Sequence, residues 1–163
     1  MRFTPQVRAL DWLVARPIAH RGLHCKQDSI IENTATAFAS AIKHNYAIEC
    51  DLQITADGEA VVFHDKTLER LTEGKGLVKH HSTKALKQTA FKLGNDRKQT
   101  LGELIDQVNG AVPLIIELKS HWDGDVTLAL RALDVLQSYK GPYALMSFDP
   151  DLVASIAHHS PQT

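Results

Sequence analysis

The chain has 163 residues, 44% apolar and 23% charged, and its 18 basic and 19 acidic side chains give a formal charge of −1. That length suits one domain with a full hydrophobic core, and the balanced charge excludes a general affinity for nucleic acid or an anionic membrane surface. Cys25 and Cys50 lack metal-site spacing, and "MRFTPQVRALDWLVARPIAHRG" holds no uncharged apolar leader, so the expectation is a reducing, cytoplasmic location without stable membrane insertion.

The first element is the short apolar run Pro17 to His20, which reads as a strand ended by the loop residues Arg21-Gly22. In "ENTATAFASAIKHN", Phe38, Ala39 and Ile42 fall at helical spacing, with Asn33 or Thr34 placed to cap the first turn. Ala47 to Leu52 is the next strand, followed by the Asp57-Gly58 turn signal and a returning run, "EAVVFH". Residues 66–100 break this pattern, because they are rich in Lys, Thr and Gly with few large apolar groups, and read as an inserted excursion. They carry nine Lys or Arg against three acids, a net +6 that leaves −7 for the rest. Attraction of an anionic ligand and plain solvation both account for that charge.

Periodicity returns in "TLGELIDQV", where Leu101, Leu104, Ile105 and Val108 make a stripe and Thr100 with Glu103 forms a capping-box signature. Then come a buried-type strand in "VPLIIELK", a helix in "VTLALRALDVLQSY", a strand in "YALMSF" and a helix in "DPDLVASIAHH" opened by Asp149 and Pro150. Strand and helix alternate four times apart from the excursion. An α/β fold of parallel βαβ units is expected.

Each of the four strands ends in polar residues: His20-Arg21, Glu49 with Asp51, Glu117 with Lys119, and Ser147. Ligands of parallel α/β folds bind at the carboxyl ends of strands, so these groups converge on one site. Glu49 and Asp51, two apart, share a strand face. A two-residue turn at Asp57-Gly58 pairs positions summing to 115, which sets His64 opposite Asp51 at a Cβ separation of about 5 Å. Two such carboxylates need a cation, and with Glu117 as a third oxygen ligand the preference is for a hard ion, Mg²⁺ or Ca²⁺. Imidazoles at His20 and His64 and positive charge from Arg21 and Lys119 complete a set suited to in-line cleavage of a phosphodiester. The plainer readings are hydrogen-bonded histidines and salt-bridged strand-end acids.

The ordered set "HRG", "ENT", Glu49-Cys50-Asp51, "TADG", "VVFHD" and "IELK" resembles the glycerophosphodiester phosphodiesterases, relatives of the phosphoinositide-specific phospholipases C. The resemblance implies a TIM-type (β/α)8 barrel that uses a divalent cation, Mg²⁺ or Ca²⁺, to hydrolyse small-molecule glycerophosphodiesters to glycerol 3-phosphate and an alcohol. Carried over by position, His20 and His64 are the acid–base pair and Glu49, Asp51 and Glu117 the metal ligands. Arg21 and Lys119 contact phosphate, Glu32 and Asn33 support the site, and residues 66–100 are the family's insertion, a cap over the pocket. In such enzymes the glycerol 2-hydroxyl attacks phosphorus to give a cyclic phosphate, which water then opens.

Two departures stand out. Ile31 occupies the place where the family usually has proline before "ENT", which is expected to loosen the start of the helix. The chain also reads as only the first four β/α units of a barrel that takes about 250 residues. Its open sheet edges then need cover, from a continuation of the chain or from a second copy in a homo-oligomer. Alternatives on the same scaffold are phospholipase D-type action on lyso- or sphingolipids, and a non-catalytic half-barrel.

Overall fold

The computed structural model describes residues 11–160. The first ten residues of the stretch behind the leaderless N-terminus expectation lie outside the described residues. After a short helix α1 (Asp11–Val14), strand β1 (Ile18–Ala19) leads to helix α2 (Ala35–Lys43), and β2 (Ala47–Ile54) turns back as β3 (Ala60–Val62). Helix α3 (Thr83–Gln88) lies in the excursion, and then α4 (Leu101–Val108), β4 (Leu114–Leu118), α5 (Thr127–Leu136), β5 (Tyr143–Met146) and α6 (Pro150–His159) follow. The sheet runs β1-β2-β4-β5 with all three neighbouring pairs parallel, and β3 pairs antiparallel with β2. Four parallel strands with crossover helices form, as expected, a consecutive arc of an α/β barrel.

Alternation along the strands separates two chemistries. Ile48, Cys50 and Leu52 of β2 and Leu114, Ile116 and Leu118 of β4 enter the main core with Leu101, Leu104, Val108, Leu128 and Ala132 of the helices. Glu49, Asp51 and Glu117 take the opposite face. On α2 the buried side chains are Ala37, Phe38 and Ala41, while Ala39, expected on the inner stripe, is exposed. Ala37 and Phe38 of this face pack against the loop after β1 at Gly22.

Helix starts follow their sequence signals. Thr34 caps α2, Thr100 and Glu103 form the reciprocal capping box of α4, and the Asp149 carboxylate receives the first amides of α6. Ile31 does not loosen the start of α2, because its carbonyl accepts from the Thr34 hydroxyl at 2.7 Å and its side chain is buried.

The hairpin overturns the expected register. Leu52 pairs with Val62, Gln53 with Val61 and Ile54 with Ala60, so paired positions sum to 114, and Phe63, not His64, donates its amide to the Asp51 carbonyl. The turn holds three residues instead of two. Thr55 accepts the Gly58 amide and donates to the Glu59 carbonyl, and Gly58 takes φ 77°, a conformation glycine adopts without strain.

Residues 66–100 are also not the apolar-poor excursion the sequence suggests. Leu68, Val78, Leu86 and Phe91 are buried with Ile31, Val61 and Phe63 in a second core, on the β3 face turned away from the first. Within it Lys98, 2% exposed, donates to the Thr89 carbonyl at 2.8 Å and sits 4.3 Å from the Phe91 ring centroid. Burial pushes its ammonium pKa down to about 8, from an ordinary value of about 10.4. The folded chain therefore releases this proton before the unfolded chain does, and stability rises with pH between those two values. The stability of the native chain relative to Lys98→Met, read from thermal melts at pH 7, 8.5 and 10, should climb across that interval by up to about 3 kcal/mol. A pH-independent difference would show that Lys98 remains charged throughout.

Candidate active site

The groups expected to converge arise at successive strand ends. Parallel register sets Asp51 of β2 directly beside Glu117 of β4, and Glu49 lies two residues before Asp51 on the same face. One oxygen of each of these three buried carboxylates lies within 4.8 Å of the others. Burial, and next the Asp51 charge, push Glu49 up to about 7, against an opposing hydrogen bond from the Arg21 amide.

After β1 the chain turns sharply through Arg21 at φ 57°, an uncommon conformation for a residue with a Cβ. The turn delivers the Arg21 amide to Glu49 Oε2 at 2.8 Å and leaves His20, its side chain 70% exposed, with Nε2 at 3.9 Å from the same oxygen. Gly22 must follow: at φ 76°, a Cβ there would lie 2.9 Å from Ala37 Cβ and from Phe38 Cδ1. Arg21 Nη1 donates to Glu32 at 2.9 Å, and its Nε lies 3.4 Å from Asp51 Oδ2.

Asn33 is a second left-handed residue, at φ 56°. Its amide grips Asp51 from both sides, donating to Oδ2 at 2.8 Å and accepting the Asp51 backbone amide at 3.2 Å. Lys119 Nζ reaches Asp51 Oδ1 at 2.9 Å and Glu117 Oε1 at 2.5 Å. Burial alone would lower the Lys119 pKa, but these two carboxylates hold it above the ordinary value. Asp51 Oδ1 is fully buried and faces the Lys119 ammonium. Three buried carboxylates this close, an all-oxygen donor set, suit a hard divalent cation.

His64 sits just past β3. It reaches the site although the register is shifted, because the chain has already left the strand. Its Nδ1 lies 2.7 Å from Asp65 Oδ1, and its carbonyl accepts from Gln53 Nε2 at 2.9 Å. With Gln53, Glu117, Lys119, Ser120, Trp122 and Phe148 it lines an open cavity of about 340 Å³. Of the six expected residues outside the triad, Arg21, Asn33 and Lys119 contact it directly, His20 lies beside Glu49, His64 shares a cavity wall with Glu117, and Glu32 connects to it through Arg21.

Two further residues join them without having been singled out from the sequence. Gln53 continues the Glu49, Asp51 alternation, so the period-two rule alone could have found it. Arg70 binds both Glu32 and Asp65, and nothing local in the sequence marks it.

Three acids at the carboxyl ends of parallel strands, with imidazoles and cations around them, place the site where α/β-barrel proteins bind their ligands. The chain belongs to the glycerophosphoryl diester phosphodiesterase family, whose sequence profile matches residues 20–162. It is 36% identical over 111 residues to a glycerophosphodiester phosphodiesterase of Caldanaerobacter subterraneus, a match covering 63% of this chain and 44% of that one. A glycerophosphodiester phosphodiesterase of Bos taurus is 32% identical over 147 residues, covering 82% of this chain and 41% of the relative. Among solved structures, a phosphodiesterase of Oleispira antarctica in complex with its product sn-glycerol 3-phosphate superposes with a TM-score of 0.81 at 26% identity, covering 92% of this chain and 65% of that one. This chain thus spans less than half the length of these two curated relatives.

Proposed function

We propose that this chain carries the metal-binding and proton-transfer groups of an enzyme that hydrolyses glycerophosphodiesters to glycerol 3-phosphate and an alcohol. The observation that carries the reading is the buried Glu49, Asp51, Glu117 cluster, with an imidazole at 3.9 Å from Glu49 and a second imidazole in the cavity beside Glu117. The product bound to the Oleispira antarctica relative supports the substrate class.

Glu49, Asp51 and Glu117 would hold one divalent cation, Mg²⁺ or Ca²⁺. Such an ion, when bound, withdraws charge from a phosphoryl oxygen and the attacking hydroxyl. Arg21 and Lys119 supply fixed positive charge for the phosphate, and the Glu32 and Asn33 contacts hold Arg21 and Asp51 in place. His20 and His64 divide the proton work, one accepting from the attacking oxygen and the other donating to the leaving oxygen. Asp65 at Nδ1 leaves the His64 Nε2 free for that transfer. The segment 66–100 acts as a cap, its core fixing Asp65 and Arg70 at the rim.

The test is release of choline by the purified chain from glycerophosphocholine and, in parallel, from lysophosphatidylcholine, with the glycerol 3-phosphate formed from the first followed by a coupled dehydrogenase assay. Turnover of the first and not the second is expected. Turnover of the lysolipid alone would transfer the site to phospholipase chemistry, and turnover of neither would leave a non-catalytic half-barrel.

A further inference from the structure

We infer that Arg70, contributed by the inserted segment, is a positioning residue that orients His64 and Arg21 through one shared guanidinium. The inference rests on the phosphodiesterase reading for what those two residues do, and on the hydrogen bonds alone for how they are held.

Four of the five N–H donors of Arg70 are used. Nε donates to Asp65 Oδ2 at 2.5 Å and Nη2 to Asp65 Oδ1 at 3.0 Å, while Nη1 and Nη2 donate to Glu32 at 3.0 and 2.7 Å. The same Asp65 Oδ1 lies 2.7 Å from His64 Nδ1, and the same Glu32 Oε1 accepts from Arg21 Nη1 at 2.9 Å. A continuous chain of contacts therefore runs from His64 through Asp65, Arg70 and Glu32 to Arg21, and from there to Asp51.

Each link has a chemical consequence. A carboxylate aimed at Nδ1 selects the tautomer with its proton there, and how firmly it does so depends on what fixes the carboxylate. Two planar, bidentate contacts fix both carboxylates at once, which a lysine ammonium cannot do. Burial alone would raise the Asp65 and Glu32 pKa values, yet the Arg70 hydrogen bonds, with others from His64 and Arg21, hold both below the ordinary range. With a side chain 46% exposed, Arg70 contributes little as core packing. An isolated surface pair of this exposure would have no effect at the site; here the carboxylate oxygens it binds are the ones that touch His64 and Arg21.

Arg70→Met and Arg70→Lys, each checked for folding by circular dichroism, test this with two readouts. In long-range ¹H–¹⁵N spectra at pH 8, native His64 is expected as one tautomer, protonated at Nδ1, and Arg70→Met as a mixture. The kcat for glycerophosphocholine is expected to fall on the order of 10²-fold in Arg70→Met, with a smaller change in KM, as for a reacting group displaced by about 1 Å. Arg70→Lys, which keeps the charge and loses the fork, is expected between the two, and it carries the test if the methionine variant does not fold. Native kcat in both variants, or an unchanged His64 tautomer, overturns the inference. If the native chain itself releases no glycerol 3-phosphate, the proposed function fails, and the tautomer comparison alone decides the role of Arg70.

Discussion

His20→Ala and His64→Ala should each lower kcat for glycerophosphodiester hydrolysis by about 10²–10⁴-fold, the range for losing one positioned proton-transfer group. Neither should shift the melting temperature by more than about 2 °C, the behaviour of substitutions that touch no core contact. His20 is 70% exposed in its side chain and touches the site only across 3.9 Å to Glu49. His64 is 29% exposed, and Asp65 remains held by Arg70 when the ring is removed. In a mechanism with one imidazole on the attacking oxygen and one on the leaving oxygen, the double variant should be little worse than the slower single one, because the two act as a unit. The measurement is steady-state kinetics with matched thermal melts. If either single variant keeps more than about a tenth of native kcat, that histidine is not one of the pair, well below the loss expected for acid–base catalysis.

Much of this site was legible because it lies at strand ends, where local rules suffice. Period-two alternation puts Glu49 and Asp51 on one face, and the apolar run before Glu117 marks β4 as its equivalent in a neighbouring strand. The sequence could not show that Asp51 and Glu117 are direct neighbours, since parallel register is fixed by crossover packing between distant segments. The hairpin shows the opposite failure. "DG" is a strong turn signal, but whether the loop holds two or three residues was settled by Thr55, whose hydroxyl accepts the Glu59 amide at 2.9 Å. A one-residue slip exchanges the faces of a strand, and His64 kept its place only by lying past the strand end.

The core within residues 66–100 is hidden in the sequence for a related reason. Leu68, Val78, Leu86 and Phe91 follow no period, and they find each other only through Val61, on the face of β3 turned away from the main core. Arg70 was hidden with them, since its partners lie 5 and 38 residues away.

Removing divalent cations with a chelator should stop turnover, and adding back Mg²⁺ or Ca²⁺ should restore it, but the more telling readout is stability. An ion that binds only the folded chain, at 100 times its dissociation constant, adds about 2.7 kcal/mol, which for a chain of this size is roughly 5–10 °C in melting temperature. Glu49→Gln separates stability from function. Glu49 is the least compensated of the three acids: its contacts are the Arg21 amide and an imidazole at 3.9 Å, whereas Lys119 sits on both Asp51 and Glu117. At about pH 8, above the Glu49 pKa of about 7, the amide keeps an oxygen for the Arg21 N–H and removes one of three crowded charges, so the cation-free variant should melt about 2–4 °C above the cation-free native chain, a gain of about 1 kcal/mol. Its shift on adding cation should nearly vanish, and its kcat should fall with it. Melting temperatures of both proteins with and without cation decide the matter, because an acid triad that exists only to pair with Arg21 and Lys119 would give no cation-dependent shift in either. A stable, inactive variant that no longer responds to cation would mean that the repulsion among these carboxylates is retained for binding the metal, a cost in folding stability kept for function.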